Sequence, residues 1–441
     1  MDLVRIPLSE EEIKDRLDRT EKGQVRQSIH NCLEVFRYDP ILQGSICYNI
    51  LTGRKDIVKP VPWEKTVSQL TDTDIKYFLL YLEEHYDLVN EKKILSAMEI
   101  IANENRYHPI RDYLNSLKWD GKKRISEVLH YFLGADMSEY THEAMKLFLM
   151  GAIHRVFHAG CKFETMLCLV GGQGAGKSTF FRFLAVIDEW FSDDLRRLED
   201  DNVYRKLQGH WIIEMSEMIA TASAKSIEEI KAFLSRQKET YKVPYATQPE
   251  DRPRQCVFAG TSNSLDFLPL DRTGNRRFIP VMIHPEQAEC HILDDEKKSR
   301  EYMNQLWAEA MELYRTGNYQ LRFSNEMQKQ VEEIQKSFMP EDTKAGIIQS
   351  FLDDYKEDYV CSILLYREAL NHTYDEPKSW ETKEICSIMN HSIDGWEEAP
   401  VHRFKGYGRQ RSWKRVNKTA STENGFVPIP KQMEIPFDGN V

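Results

Sequence analysis

Through the first 105 residues apolar positions recur at steps of three and four, clearest at 75–82 (Ile-Lys-Tyr-Phe-Leu-Leu-Tyr-Leu) and 94–101, and this spacing predicts a mostly helical region. Pro60 and Pro62 divide it into two parts. Thr71-Asp72-Thr73-Asp74 has a D-x-D spacing that a metal site could use, but it stands directly before a helical run without a further carboxylate cluster, which fits a helix N-cap better. A second helical stretch covers about 110–161. There the pattern changes to short apolar runs between Gly-rich or polar turns, and 166–170, 210–213 and 256–260 predict buried strands separated by helices. Such alternation predicts an α/β domain on a mainly parallel sheet. Helices resume from Pro285 to about Ser337, and Pro340-Glu341-Asp342 reads as a linker. Beyond it, helical runs near 350–355, 365–370 and 380–391 precede two strand-like segments, 396–404 and 411–416, joined through Gly406-Tyr407-Gly408. Helices followed by a β-hairpin suggest a winged helix. The final segment, with Pro428, Pro430 and Pro436 and little periodicity, is expected to be a flexible tail.

Composition narrows the class. A chain of 441 residues has room for two or three domains of roughly 150 residues each. With 41% hydrophobic and 29% charged residues it is neither fibrous nor largely disordered. No window approaches a membrane span, and the N-terminus lacks the layout of a signal peptide, so a soluble cytoplasmic protein is expected. The eight cysteines form no C-x-x-C pair or zinc-type array, which fits reduced thiols. Because the net charge is −11, any contact with nucleic acid must use local basic patches.

The strongest chemical signal is Gly171-Gly172-Gln173-Gly174-Ala175-Gly176-Lys177-Ser178, which fits G-x-x-x-x-G-K-[ST] between a predicted strand and a helical run opening at Thr179. In such a loop backbone amides curl around phosphate, the lysine reaches the β- and γ-phosphates of ATP, and the serine hydroxyl ligates Mg²⁺ at a helix N-terminus. A metal-orienting acid is needed at the end of a neighbouring strand. Glu214 and Glu217 are the candidates, Glu214 for the metal and water and Glu217 for support or water activation, with the reverse order open. Gly260-Thr261-Ser262-Asn263 ends the third predicted strand, placing Asn263 where it could orient water against the γ-phosphate; a plain polar turn is the alternative. Downstream, Thr273-Gly274-Asn275-Arg276-Arg277-Phe278 carries paired arginines that suit an arginine finger acting on a neighbouring subunit, or a structural ion pair.

Taken in order, the loop, the segment 211–217, the segment 260–263 and the arginine turn resemble the superfamily three helicases of the AAA+ class. The resemblance is closer to the virulence-associated protein E (VapE) family of phages and chromosomal islands, supported also by 108–114, 117–121 and 230–236. It implies a ring-forming, DNA-stimulated ATPase, a hexamer by expectation, that helps replicate a mobile element in a bacterial cytoplasm. The N-terminal region is short and lacks a persuasive carboxylate set for a primase, so a separate primase or replication initiator is the expected partner. The pattern along the chain, with the loop placed on it, gives the division 1–109 (helical), 110–165 (helical, before the core), 166–285 (P-loop ATPase), 286–340 (helical extension), 341–418 (winged-helix-like) and 419–441 (tail). A hairpin between the second acid and the third strand would grip single-stranded DNA in the ring channel. That interval holds Lys231, Arg236, Lys238, Lys242, Tyr245, Arg252 and Arg254, with Lys238 and Lys242 expected at the tip. The two acids are separated by two residues, where related helicases often have adjacent ones.

At the C-terminus, residues 402–418 hold Arg403, Lys405, Arg409, Arg411, Lys414, Arg415 and Lys418 and no acid, interleaved with Phe404, Tyr407 and Trp413. This hairpin is expected to meet duplex or origin DNA, or else the acidic face of a neighbouring subunit. The function expected is an ATP-dependent helicase or translocase; the alternative is an ATP-switched DNA-binding regulator that does not unwind.

Overall fold

The structure, a computed structural model, describes residues 6–195, 198, 203–217, 224–241, 250–270 and 275–416. The chain divides into two compact units, with the boundary at Pro340 and Glu341.

The first unit opens with α1 (Glu10–Arg16), α2 (Ile29–Tyr38), the strands β1 (Ile46–Asn49) and β2 (Arg54–Ile57), then α3 (Asp72–Tyr86), α4 (Glu91–Glu104) and β3 (Arg106–Tyr107). β1 pairs antiparallel with β2 and parallel with β3, so the region is not helical throughout. These strands are too short for a two-residue period to stand out, and β2 begins with three charged residues. The helices bury Phe36, Phe78, Leu82, Tyr86, Ile94 and Met98 against them.

Thr71-Asp72-Thr73-Asp74 is a capping box. The Thr71 side chain accepts from the Asp74 N–H and the Asp74 carboxylate accepts from the Thr71 N–H. The same buried carboxylate accepts from Trp63 Nε1 at 2.8 Å and from Lys65 Nζ at 2.7 Å. Burial opposes its charge, but the bonds from Lys65, Thr71 and Trp63 outweigh this and hold its pKa down at about 2. A folded pKa below the unfolded value gives stability that is present above about pH 4 and lost as pH falls towards 2. Asp74→Asn is therefore expected to cost about 2 kcal/mol at pH 7. Chemical unfolding followed at several pH values should show the difference from the native protein shrinking on the acid side.

Next come α5 (Pro109–Ser116), α6 (Val128–Leu133), α7 (Glu139–Phe157), β4 (Met166–Val170), α8 (Lys177–Leu184), β5 (Phe191–Ser192), α9 (Val203–Leu207), β6 (Ile212–Ser216) and α10 (Ala224–Leu234). They are followed by β7 (Lys238–Tyr241), β8 (Glu250–Pro253), β9 (Val257–Ser262), β10 (Phe278–Met282), α11 (Glu296–Thr316) and α12 (Asn325–Lys336). Five strands form a parallel sheet in the order β10-β4-β9-β6-β5, and β7 and β8 form a separate antiparallel ribbon. Both faces of the sheet are covered, which is why β4 reads as an unbroken apolar run. Leu167 and Leu169 join a core with Phe148, Phe181, Trp211 and Trp307. Met166, Cys168 and Val170 point the other way, towards Ile230, Phe233 and Phe258. Trp211 stacks on Trp307 at 4.2 Å, and both indole N–H groups reach backbone carbonyls, of Ala152 and Leu184.

The second unit contains α13 (Thr343–Asp354), β11 (Tyr359–Val360), α14 (Ser362–Leu364) running into a π-helical turn (Leu365–Ala369), α15 (Ser379–His391), β12 (Trp396–Phe404) and β13 (Gly408–Arg415). Its antiparallel sheet, ordered β11-β13-β12, packs over Ile348, Leu352, Leu365 and Ile388 through Trp396 and Trp413. The last strand begins at Gly408, three residues before the expected 411, because the glycines on either side of Tyr407 turn tightly enough for pairing to start at Phe404 and Gly408. The expected tail lies outside the described residues. Among the described residues no helix is long and apolar enough to cross a membrane.

Candidate active site

Three parallel strands end together. Val170 of β4 is level with Ser262 of β9, and Ser216 of β6 is level with Thr261. The loop after β4, the acid after β6 and the amide after β9 therefore meet at the carboxyl edge, where open α/β sheets collect ligands. Gln173, Gly174, Ala175, Gly176, Lys177, Ser178 and Thr179 line a cavity of about 440 Å³ there, with Ser216, Glu217, Thr261, Asn263, His291 and Leu293 completing it. Gly174 and Gly176 have φ of +78° and +81°, a left-handed backbone that a side chain would strain, so the loop's curl depends on glycine at both.

Lys177 is nearly buried. Its ammonium donates to the carbonyls of Gly171 at 2.8 Å and Gly172 at 2.7 Å, and to Asn263 Oδ1 at 2.8 Å. Burial pulls its pKa down, opposed by the charges of Glu217 and Glu214. Ser178 Oγ donates to Glu214 Oε1 at 2.7 Å, and Thr261 Oγ1 donates to the same oxygen at 2.5 Å. Glu214 Oε2 is buried without a hydrogen-bond partner, and desolvation raises the carboxyl's pKa against the hydrogen bonds from Thr261 and Ser178. A buried, half-satisfied carboxylate beside a hydroxyl at a helix N-terminus is an oxygen donor set that suits Mg²⁺, whose charge would reverse that shift. Glu217 lies just past β6 at φ 52°, an unusual backbone for a residue other than glycine, and its Oε1 accepts from the Asn263 N–H at 2.7 Å. Glu214 is thus inside the strand and Glu217 is at the cavity wall. The two-residue separation leaves Glu214 buried behind Ser178 while Glu217 faces the cavity.

Arg276 and Arg277 lie elsewhere. They precede β10, whose first residue is level with Met166 at the start of β4, so they sit at the amino edge of the sheet. Five strand residues place them about 15 Å from the loop. Both meet Glu164, at 3.3 Å each. Burial tends to raise the Glu164 pKa, but the Ser235 hydroxyl and the charges of Arg277, Lys162 and Arg276 outweigh it and hold it low.

The ribbon corrects two expectations. Lys238 opens β7 opposite Pro253, at the foot of the ribbon and not its tip, and it pairs with Asp251. Lys242 and Tyr245 lie outside the described residues. Arg254 is 3% exposed, with its Nε 2.6 Å from Glu239 Oε1 and its guanidinium 4.3 Å over the Phe233 ring, so it anchors the ribbon and is not available to DNA. Lys231 is likewise buried beside Glu228, and Arg236 donates to the Tyr204 hydroxyl. Arg252 lines a cavity of about 330 Å³ with Tyr48, Arg106 and His210.

In the second unit Arg403, Lys405, Arg409 and Arg411 are all exposed on β12, β13 and the turn between them, with Arg403 directly opposite Arg409. Arg415 turns inward, donating to the Leu352 carbonyl at 3.0 Å and lying 4.7 Å over the Trp396 ring. Trp413 is buried and donates to Asn390 Oδ1 at 2.6 Å, so neither residue belongs to the basic surface. Lys418 lies outside the described residues. Sequence reasoning missed Glu164 as the partner of the arginines, and His291 and Leu293 as cavity walls. No motif surrounds any of the three. Thr261 stood within a recognised segment, and its bond to Glu214 becomes visible only when β6 and β9 are placed side by side.

A family model, the virulence-associated protein E-like domain, matches residues 114–340, just over half of the chain. The chain belongs to this family. Its VapE-like stretch begins in α5, contains the whole parallel sheet, the cavity residues and both arginines, and ends where the first unit ends. No curated protein matches the chain. Among solved structures the chain is similar to the A-form apo structure of the NrS-1 C-terminal region, at 13% identity and a TM-score of 0.45, covering 84% of this chain and 96% of that one. A second structure of the same region gives 12% identity and a TM-score of 0.47 over the same shares.

Proposed function

We propose that this VapE-like protein is an ATP-dependent DNA helicase or translocase acting in the replication of a phage or mobile element in a bacterial cytoplasm. In this reading the parallel sheet is an AAA+ P-loop core, working as a hexameric ring around single-stranded DNA. The observation that carries it is the meeting of Lys177, Ser178, Glu217 and Asn263 around one cavity at the carboxyl edge of the sheet, with Glu214 buried behind Ser178.

The loop amides and the N-terminus of α8 receive the phosphates of ATP. Lys177 then exchanges the Gly171 and Gly172 carbonyls and Asn263 for phosphate oxygens. Ser178 and Glu214 would hold Mg²⁺, which supplies charge neutralisation on the transferring phosphoryl group. Asn263, released by Lys177, turns its amide to the attacking water, and Glu217, held by the Asn263 N–H, takes the water's proton. Arg276 and Arg277 are too far from their own subunit's cavity to serve it, which favours a ring in which they act on a neighbour.

The second unit is read as a winged-helix-like domain whose ribbon meets duplex DNA. Like charges directly opposite each other, as Arg403 and Arg409 are, destabilise a ribbon unless an anion lies between them, and phosphate would supply one. That basic ribbon also favours the second reading, an ATP-switched DNA-binding regulator that does not unwind. Primer synthesis is assigned to a separate primase or initiator.

The deciding experiment is ATP- and Mg²⁺-dependent displacement of a labelled strand from forked duplexes with either polarity of tail. Displacement on one fork supports the motor. Hydrolysis without displacement on any fork would abandon it in favour of the regulator.

A further inference from the structure

Glu164 lies in the segment leading from α7 into β4, and three side chains converge on it. Arg276 Nη2 is 3.3 Å from its Oε1 and Arg277 Nη2 is 3.3 Å from its Oε2. Ser235 Oγ donates to Oε2 at 2.8 Å and accepts from Arg277 Nε at 3.0 Å. Ser235 directly follows α10, and β7 opens three residues later. The same segment also touches the far strand of the ribbon. The Gly160 N–H donates to the Arg254 carbonyl at 2.9 Å. A Cβ at Gly160 would stand 3.1 Å from Pro253 Cβ and 3.3 Å from the Gln237 carbonyl, so the segment is pressed against the ribbon's foot. Gly160 and Glu164, four residues apart, thus hold the ribbon and the arginines respectively. Two residues after Glu164 the chain enters β4, which ends in the glycine-rich loop.

The two arginines are not equivalent. Arg277 makes two contacts in this cluster and its side chain is 19% exposed, whereas Arg276 makes one and is 63% exposed. An exposed ion pair of this kind contributes little to stability. If Arg276 swings away, Glu164 keeps Arg277 and Ser235, so no buried charge is stranded and the departure costs little.

We propose that Glu164 and Ser235 are positioning residues tying the foot of the β7–β8 ribbon to the arginines. Arg277 is the anchored member, and Arg276 is the one that leaves Glu164 for the neighbouring subunit's phosphates. In the helicase reading the β7–β8 ribbon grips the strand, and strand binding there then sets the rate of hydrolysis next door. This rests on the ATPase reading above.

The test is Glu164→Gln in the full chain, which keeps the shape and removes the charge, with Ser235→Ala as a second variant should the first fold poorly. Three quantities are measured: turnover with and without a saturating thymidine oligonucleotide, affinity for that oligonucleotide, and the thermal unfolding midpoint. Loss of one charge-assisted contact is expected to lower the DNA-stimulated to basal ratio about tenfold. Affinity for DNA and the unfolding midpoint should stay near the native values, and Ser235→Ala should lower the ratio less. The relay is overturned if the ratio stays within about twofold of the native one, if both rates fall by the same factor, or if the native protein is not stimulated by DNA. Failure of the ATPase reading itself looks different: the native protein would turn over ATP no faster than Lys177→Ala.

Discussion

Lys177→Ala is expected, on the ATPase reading, to lower ATP turnover by a factor of at least about a thousand, because it removes the charge that would meet the β- and γ-phosphates. The loss should appear in kcat as well as in nucleotide affinity. Stability should hardly fall, since burial already disfavours the ammonium. Steady-state hydrolysis and the thermal midpoint, measured on one preparation, check both halves. A variant that hydrolyses ATP at more than about a tenth of the native rate would mean that the loop is not the catalytic phosphate site.

Arg276→Ala is expected to lower turnover by about a hundredfold or more while nucleotide binding to the isolated subunit stays unchanged, because its guanidinium lies at the opposite edge of its own sheet. The decisive version mixes two inactive proteins. Lys177→Ala subunits keep the arginine and lack a working cavity, and Arg276→Ala subunits are the reverse. If the arginine acts across an interface, random mixing in a ring leaves about one interface in four with both parts intact, and a corresponding fraction of the activity returns. A mixture no more active than its components would exclude action in trans. Recovery that grows with total protein concentration would tie hydrolysis to assembly.

The glycine-rich loop was legible because its geometry is local. Its four specified positions, Gly171, Gly176, Lys177 and Ser178, lie within eight consecutive residues, and β4 coincides with the apolar run at 166–170 because a strand buried on both faces has no polar positions to blur it. Asn263 and Glu217 were legible as strand-end residues, and the parallel register brings them to the same edge. What sequence could not supply is pairing at a distance. Glu164 meets Arg276 across more than a hundred residues, and Arg254 looked like any other cation until the Glu239 carboxylate and the Phe233 ring enclosed it. The strands β1 to β3 were hidden for a different reason: with two to four residues each, they are held by the helices packed on them more than by any pattern of their own.

The folded-back posture of Lys177 has a further consequence for which ligands can open the site. Its three acceptors are neutral oxygens at full hydrogen-bond distance, so the ammonium is already solvated from within. A ligand displaces them only by offering more negative potential than two peptide dipoles and an amide. On the ATPase reading, an uncharged nucleoside is expected to leave the lysine, and with it Asn263, where they are, whereas the charge of a phosphate chain draws the ammonium off these oxygens and frees the Asn263 amide.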